Sequence, residues 1–422
     1  MTTTLTLPNG SPITYDSAKR KDYNVIRRVA HAAATDDFRK LLQQHEKDII
    51  AIVRHHLSLD PWDTCQVQSQ RIAGGFNLCV PIQVTGSLNR TLLLRCPLPH
   101  MHAEPYYPGM VDENVRSEVG AYAWIEENCP TIRIPRLYGF GFSNNTDFTH
   151  ESRAGIHVLL LRGIRRALHR MPGYPTLTHF APSPLRHGLP TAYMVMEFVG
   201  SEVGQPLSTT WDQYRQDPNR LQTLCRSMAR IMVALSRAPW PRIGSFRFND
   251  NDTITLANRR LLCSTTILES EGTPRTMQTN ETYACTEPFV ADLIHLHDNR
   301  LLSNPSATDE EDDCRSQMAV RALLRTRARH FVLKERRNGP FGVQLTDCHP
   351  GNFFVDKDWN ITCIFDPGEV CSLPLEMVSV PYWLTGRAIS DLHGEDLEEF
   401  DHVRTRFMQM VEEEEQKSRR AL

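Results

Sequence analysis

The chain has 11 cysteines and not one Cys-x-x-Cys pair. Structural zinc sites and thioredoxin-like redox centres are built on that spacing, so neither is expected. The cysteine count is odd, and 422 residues is far too long for a disulfide-stapled miniature. Free thiols in a reducing compartment are the simplest reading. No run approaches the ~18 apolar residues that a spanning helix requires. Residues 1–22 are polar and lack the apolar core of a secretory signal. An excess of one charge is missing as well: the formal net charge is −3, which gives no overall nucleic-acid or membrane-surface signature. A cytoplasmic protein is expected.

Apolar residues make up 40% of the sequence and charged residues 23%, ordinary for a globular protein with a sizeable core. The length suits two to three domains, or one two-lobed enzyme. The most informative stretch is 343–369, which reads as strand, tight loop, strand, turn, strand and then an acidic turn. Asp347 precedes Asn352 by five residues, and Asp366 follows fourteen later, at the head of Asp366-Pro367-Gly368. This is the spacing of a kinase catalytic loop followed by its metal-binding turn. A lone Asp or Asn in a turn usually bonds its own backbone. Three at this spacing, each beside an apolar strand, point to chemistry. A hydroxyl nucleophile needs a carboxylate at its proton, and nucleotide phosphates need magnesium held by oxygen ligands.

Asp347, His349, Pro350 and Asn352 match the loop His-Gly-Asp-x-His-Pro-x-Asn. In this the chain resembles the aminoglycoside phosphotransferase-like, or choline-kinase-like, branch of the protein-kinase-like fold, and is most similar to a fungal-type subgroup of phosphotransferases. The resemblance implies an α+β, two-lobed fold with an antiparallel-sheet N-lobe and a mainly helical C-lobe. It implies ATP and Mg²⁺ as cofactors. Asp347 then acts as catalytic base and Asn352 and Asp366 as metal ligands. Arg95, fixed by Glu118, contacts the phosphates, and the backbone at Gly74 and Gly75 covers them. Glu197 and Phe198 occupy the hinge whose backbone holds adenine. His349 is assigned to bracing the loop. Two departures stand out: Leu345 replaces the loop imidazole that braces the acidic turn, and Pro367 stiffens that turn and removes an N–H donor.

Along the chain, residues 1–60 form a helical extension, with apolar residues at threes and fours from Tyr23 to Leu57. Residues 61–198 form the N-lobe. It comprises a hairpin over Cys65–Val84 turning at Gly74-Gly75, a strand over Arg90–Cys96, a helix over Val115–Ile125, a strand at 132–138 and a buried strand over Thr191–Gly200. A basic insertion near 145–190 carries Arg153, Arg162, Arg165, Arg166, Arg170 and Arg186, with Glu151 the one acid between His150 and Pro190. A helix over Ala154–Arg170 is expected there, packed by its apolar side with the arginines on a solvated face, followed by a loop over Met171–Pro190. Residues 199–422 form the C-lobe. Its elements are an amphipathic helix over Arg220–Ser236, a hairpin over Ile243–Leu256, a mobile polar stretch at 268–282, helices over Glu287–Asn299 and Gln317–Phe331, loop 343–369 and closing helices.

The expected activity is ATP- and Mg²⁺-dependent phosphoryl transfer to a hydroxyl of a small molecule, of the kind met in secondary metabolism. No Ala-Pro-Glu segment follows Asp366, which favours a small acceptor over a protein. The alternative is a repurposed kinase fold whose basic insertion binds an anionic partner, nucleic acid being the less expected one.

Overall fold

The computed structural model describes residues 4–21, 23–153, 156–169, 171, 174–304 and 306–420. After a small hairpin (Thr4–Thr6 with Pro12–Thr14) and one helical turn at Tyr15–Ala18 come helices α1 (Val25–Gln44) and α2 (Glu46–Leu57). The Asn24 side chain caps α1 by accepting the Arg27 N–H at 3.0 Å. Helix α2 gathers Ile49, Ile52, Val53 and Leu57 on one face, each 1% exposed or less. At about 1.5–3 kcal/mol for each aliphatic side chain removed from water, that face binds α2 firmly to the sheet beneath it. Ser58, in the left-handed conformation with φ 51°, ends the helix.

That sheet has eight strands: β1 (Thr64–Val67), β2 (Ile72–Ala73), β3 (Asn77–Thr85), β4 (Arg90–Pro97), β5 (Leu137–Gly141), β6 (Asp147–His150), and, beyond a two-residue β7 (Thr176–Leu177) that joins another sheet, β8 (Phe180–Pro182) and β9 (Tyr193–Glu197). The order is β8-β6-β5-β9-β4-β3-β1, with β2 also paired to β3, and every pairing is antiparallel. Side chains alternate between its faces. Leu92, Leu94 and Cys96 of β4 pack under α1 and α2, whereas Leu93 joins the core on the opposite face. Arg95 shares the parity of Leu93, so the pleat delivers it to that second face. There it meets helix α3 (Met110–Asn128), most of whose side chains are buried.

The second half adds a second sheet. Helix α4 (Ile156–His169) lies in the insertion between β6 and β7, and α5 (Pro218–Ser236) follows β9. Then come β10 (Gly244–Phe248), β11 (Thr253–Asn258), α6 (Cys263–Ser270), two helices over Thr286–Ser303 and Glu311–Arg327, β12 (Phe341–Leu345), β13 (Phe353–Val355), β14 (Ile361–Ile364), β15 (Val370–Leu373) and α7 (Glu395–Arg420). A six-stranded antiparallel sheet runs from a strand at Pro239–Trp240 through β12, β15, β10 and β11 to β7. The architecture is α+β with antiparallel sheets, as expected, and among the described residues of 199–422 helix outweighs strand. Among the described residues no helix is long and apolar enough to cross a membrane.

Four local expectations change. The strand expected at 132–138 begins only at Leu137, and the loop expected over Met171–Pro190 contains β7 and β8. The stretch 268–282 is packed rather than mobile, with Thr273 and Met277 buried and the Arg275 guanidinium 3.6 Å from the Tyr107 ring centre. Helix α4 is inverted. Its Leu160, Leu161, Ile164 and Leu168 are 57–67% exposed, while Arg162 is 6% exposed. The reason is electrostatic: Glu151 and Asp252 are buried beneath α4, and a buried carboxylate must be paired. Arg165 pairs with Asp252 and Arg166 with Glu151. Arg170 lies outside the described residues.

Candidate active site

Strand β12 ends at Leu345 and hands the chain to the loop that carries Asp347. A short turn at Pro350–Asn352 then leads into β13. Asn352 is 7% exposed, and its Nδ2 donates to Asp347 Oδ2 at 2.8 Å and to the Asp347 carbonyl at 3.1 Å. The base candidate and the amide are thus in direct contact. The His349 Nδ1 accepts the Gly351 N–H at 3.0 Å, and its other ring nitrogen lies 3.6 Å from Asp347 Oδ2. The imidazole closes the turn, a bracing position. From below, Trp383 Nε1 donates to the Cys348 carbonyl at 2.6 Å, and Trp383 packs edge-on to Trp211, which stacks on Trp359.

The acidic turn follows β14. The Phe365 N–H donates to the Asn352 carbonyl at 2.8 Å, which fixes the turn against the loop. Asp366 adopts φ 58°, a left-handed conformation that Asp tolerates better than most side chains. Gly368 lets the turn pass close to α3: a Cβ there would lie 3.0 Å from Cγ of Glu118. Leu345, standing where an imidazole braces this turn in the resembling family, is an apolar neighbour of the core. The brace comes from Thr346, whose hydroxyl donates to the Glu369 carbonyl at 2.8 Å.

Arg95 closes the arrangement. Its guanidinium is 2.7 Å from Glu118 Oε1 and 2.7 Å from Asp366 Oδ2. With the Asn77 amide turned to its satisfied orientation, the Asn77 oxygen accepts from Arg95 Nε at 3.1 Å and Nη2 at 2.7 Å. Burial opposes the charge on Arg95, but the carboxylates of Asp366 and Glu118 outweigh it, so the group stays cationic. Arg95, Glu118, Asp347 and Asp366 line one cavity with Phe76 and Asn77, and Leu261, Cys263 and Thr266 wall its far side. Negative charge accumulates here. Burial pushes the Glu369 carboxyl up to about 8, with Asp347 and Asp366 adding to the rise against a hydrogen bond from the Cys263 backbone. Burial likewise pushes the Cys263 thiol up to about 12, with Glu369, Asp347 and Asp366 contributing.

The fold therefore brings Arg95, Glu118, Asp347, Asn352 and Asp366 together from β4, α3 and the loops after β12 and β14. Gly74 and Gly75 sit in the turn between β2 and β3, where the Gly74 N–H donates to the Asn77 carbonyl at 2.9 Å. They are not among the residues lining this cavity; Phe76 and Asn77 are. Glu197 and Phe198 also lie outside the lining, at the end of β9. The Glu197 carboxylate is engaged by Arg133 at 2.9 Å and by the Arg136 N–H at 3.0 Å, and Phe198 is 37% exposed. Sequence reading missed Asn77, Thr346, Glu369 and the α6 wall. A polar residue at the first position of β3 is the one signal that could have marked Asn77; the others depend on contacts between distant segments.

A search of curated proteins gives no match to the chain. The profile described as the phosphotransferase enzyme family, APH, matches residues 166–376, half of the 422 residues. That span includes Glu197, Phe198, Asp347, Asn352 and Asp366, while Gly74, Gly75, Arg95 and Glu118 precede it. By the profile, and by a site in which the matched loop and turn meet Arg95 and Glu118, the chain belongs to the APH family of phosphotransferase enzymes.

Proposed function

We propose that this phosphotransferase uses ATP and Mg²⁺ and transfers the phosphoryl group to a hydroxyl of a small molecule. The observation that carries the reading is that Asp347, in contact with Asn352, shares a cavity with the Arg95–Glu118–Asp366 cluster. Phosphoryl transfer is catalysed mainly by positioning and charge neutralisation. Asp347 orients the acceptor hydroxyl and takes its proton, steadied by Asn352. Arg95, held by Glu118, contacts the α- and β-phosphates, and the backbone near Gly74 and Gly75 covers them. The backbone around Glu197 and Phe198 receives adenine.

The donor set suits magnesium. Asn352 and Asp366 offer hard oxygen ligands, and Mg²⁺ characteristically takes one or two carboxylates plus phosphate and water. Among the described residues no group of three or more His, Cys, Asp or Glu could enclose a metal unaided, which agrees with a metal shared with nucleotide. Bound there, Mg²⁺ neutralises charge between the phosphates. The resemblance supports a two-lobed kinase-like division, with residues 61–198 as the nucleotide-binding lobe and 199–422 as the acceptor-binding lobe, and membership of the fungal-type subgroup. The reading in which the basic insertion grips an anionic partner loses support, since Arg162, Arg165 and Arg166 are paired within the chain.

Thermal melting with Mg²⁺-ATP tests this. At ligand a hundredfold above Kd the wild type should gain about 2.7 kcal/mol of stability. Asp366→Ala should lose that gain. Asp347→Asn should keep it, yet lose on the order of 10²–10⁴-fold in phosphoryl transfer to an accepted hydroxyl compound. A wild type that melts identically with and without Mg²⁺-ATP would sink the proposal.

A further inference from the structure

The insertion and the β10–β11 hairpin meet in a buried ionic cluster outside the cavity. Arg162 uses its whole guanidinium there: Nε donates to Glu151 Oε2 at 2.9 Å, Nη1 to Asp252 Oδ2 at 2.5 Å, and Nη2 to the carbonyls of Thr178 and Phe180 at 2.6 and 2.9 Å. Arg165 adds a 2.9 Å contact to the other Asp252 oxygen. Asp252 sits at the hairpin tip, 1% exposed, with φ 61°. Its carbonyl accepts the N–H and the hydroxyl of Thr178 at 3.0 and 2.8 Å. Pairing of β7 with β11 continues the attachment. Burying this many charges for stability alone is a poor return, because an apolar contact of equal volume does as well or better.

What the clasp restrains is the hairpin, and the hairpin lies along the back of α3. At its other end β10 pairs with β15, the strand that directly follows the acidic turn. Between those two anchors it presses on α3. A Cβ on Gly120 would stand 3.0 Å from the backbone of Phe246 and of Arg247. Arg116, one turn earlier, donates to the Phe248 carbonyl at 3.2 Å and pairs with Asp250 at 2.7 Å. Residues four apart share a helix face. Glu118, two residues on from Arg116 and thus about 200° round the helix, looks the opposite way, onto Arg95.

We infer that Arg162 and Asp252 are positioning residues for the nucleotide site: clasped at its tip, the β10–β11 hairpin backs α3 and keeps Glu118 on Arg95. The inference rests on the nucleotide role proposed for Arg95 and Glu118. It assigns the insertion a task that none of its exposed residues reveals.

The test is a double-mutant cycle on the affinity for Mg²⁺-ATP, read by titration calorimetry on the full chain. Asp252→Asn removes the charge and keeps a side chain that accepts a left-handed turn. It should weaken Mg²⁺-ATP on the order of tenfold, as remote misplacement of a positioned group does. Glu118→Gln should weaken it by a similar factor, and the double variant should be no weaker than the poorer single variant, since both act through one contact. Should Asp252→Asn fail to fold, Arg165→Gln, at a side chain 43% exposed, carries the same cycle with a smaller loss. A lower melting temperature with unchanged Mg²⁺-ATP affinity overturns the inference, as do fully additive losses. Wild-type affinity in Glu118→Gln overturns the proposed role of Glu118, and this inference with it.

Discussion

Glu369 stands three residues beyond Asp366 and lines the same cavity. Glu369 is half-buried near Asp347 and Asp366, and its carboxyl is pushed up to about 8 from an ordinary 4.5, chiefly by loss of hydration. The folded chain therefore holds a proton that the unfolded chain releases near pH 4.5. Stability from this group is fully present below pH 4.5 and is lost as pH rises through about 8. Glu369→Gln keeps the shape and abolishes the titration. Its melting temperature should fall less steeply than that of the wild type between pH 5 and pH 8, by differential scanning calorimetry; parallel profiles would acquit the Glu369 carboxyl. At this scale the sequence was legible wherever chemistry is written in one local segment. Asp347, Asn352 and Asp366 could be picked out by spacing alone. Asn77 and Glu369 could not, since nothing local tells that Asn77 faces Arg95 or that Glu369 lines the same cavity as Asp347 and Asp366.

Helix α3 and helix α4 show how far periodicity reaches among the elements. In α3, Val115, Val119 and Tyr122 recur at helical spacing and are buried, as their pattern demands. Its Gly120 is explained only by the neighbour: β10 passes so near that a Cβ would press on the backbone of Phe246 and Arg247. Gly120→Val should raise helix propensity slightly but cost about 1–3 kcal/mol through overpacking. Urea unfolding should register this as a lower midpoint at unchanged m-value, and an unchanged midpoint would show that β10 yields easily. In α4 the period was right and the direction was reversed. An amphipathic pattern defines two faces, while which face turns inward depends on what lies beneath it. Here the buried Glu151 and Asp252 attract Arg162 inward and leave Leu160, Leu161 and Ile164 facing out.

Across the whole molecule, the pairing of β7 with β11 joins the insertion to a sheet whose other strands come from the second half of the chain. A core cluster likewise runs from Trp124 in α3 to Trp383 beyond the acidic turn. Parts tied by backbone pairing, buried ion pairs and shared core should unfold together. Denaturation followed by far-UV circular dichroism and by tryptophan fluorescence should give one coincident transition, whereas two separated transitions would show that the halves fold independently. The sequence by itself determined the phosphotransferase loop, its acidic turn, the α+β class and the helix and strand periods around them, because each is encoded in neighbouring residues and in local backbone preference. Tertiary structure alone decided which face of α4 is buried, that Thr346 braces the acidic turn where Leu345 stands for an imidazole, and that Asp366 and Asn77 join the expected Arg95–Glu118 pair. Those outcomes turn on burial and on charge pairing across the fold, and both come into being only when remote parts of the chain have packed together.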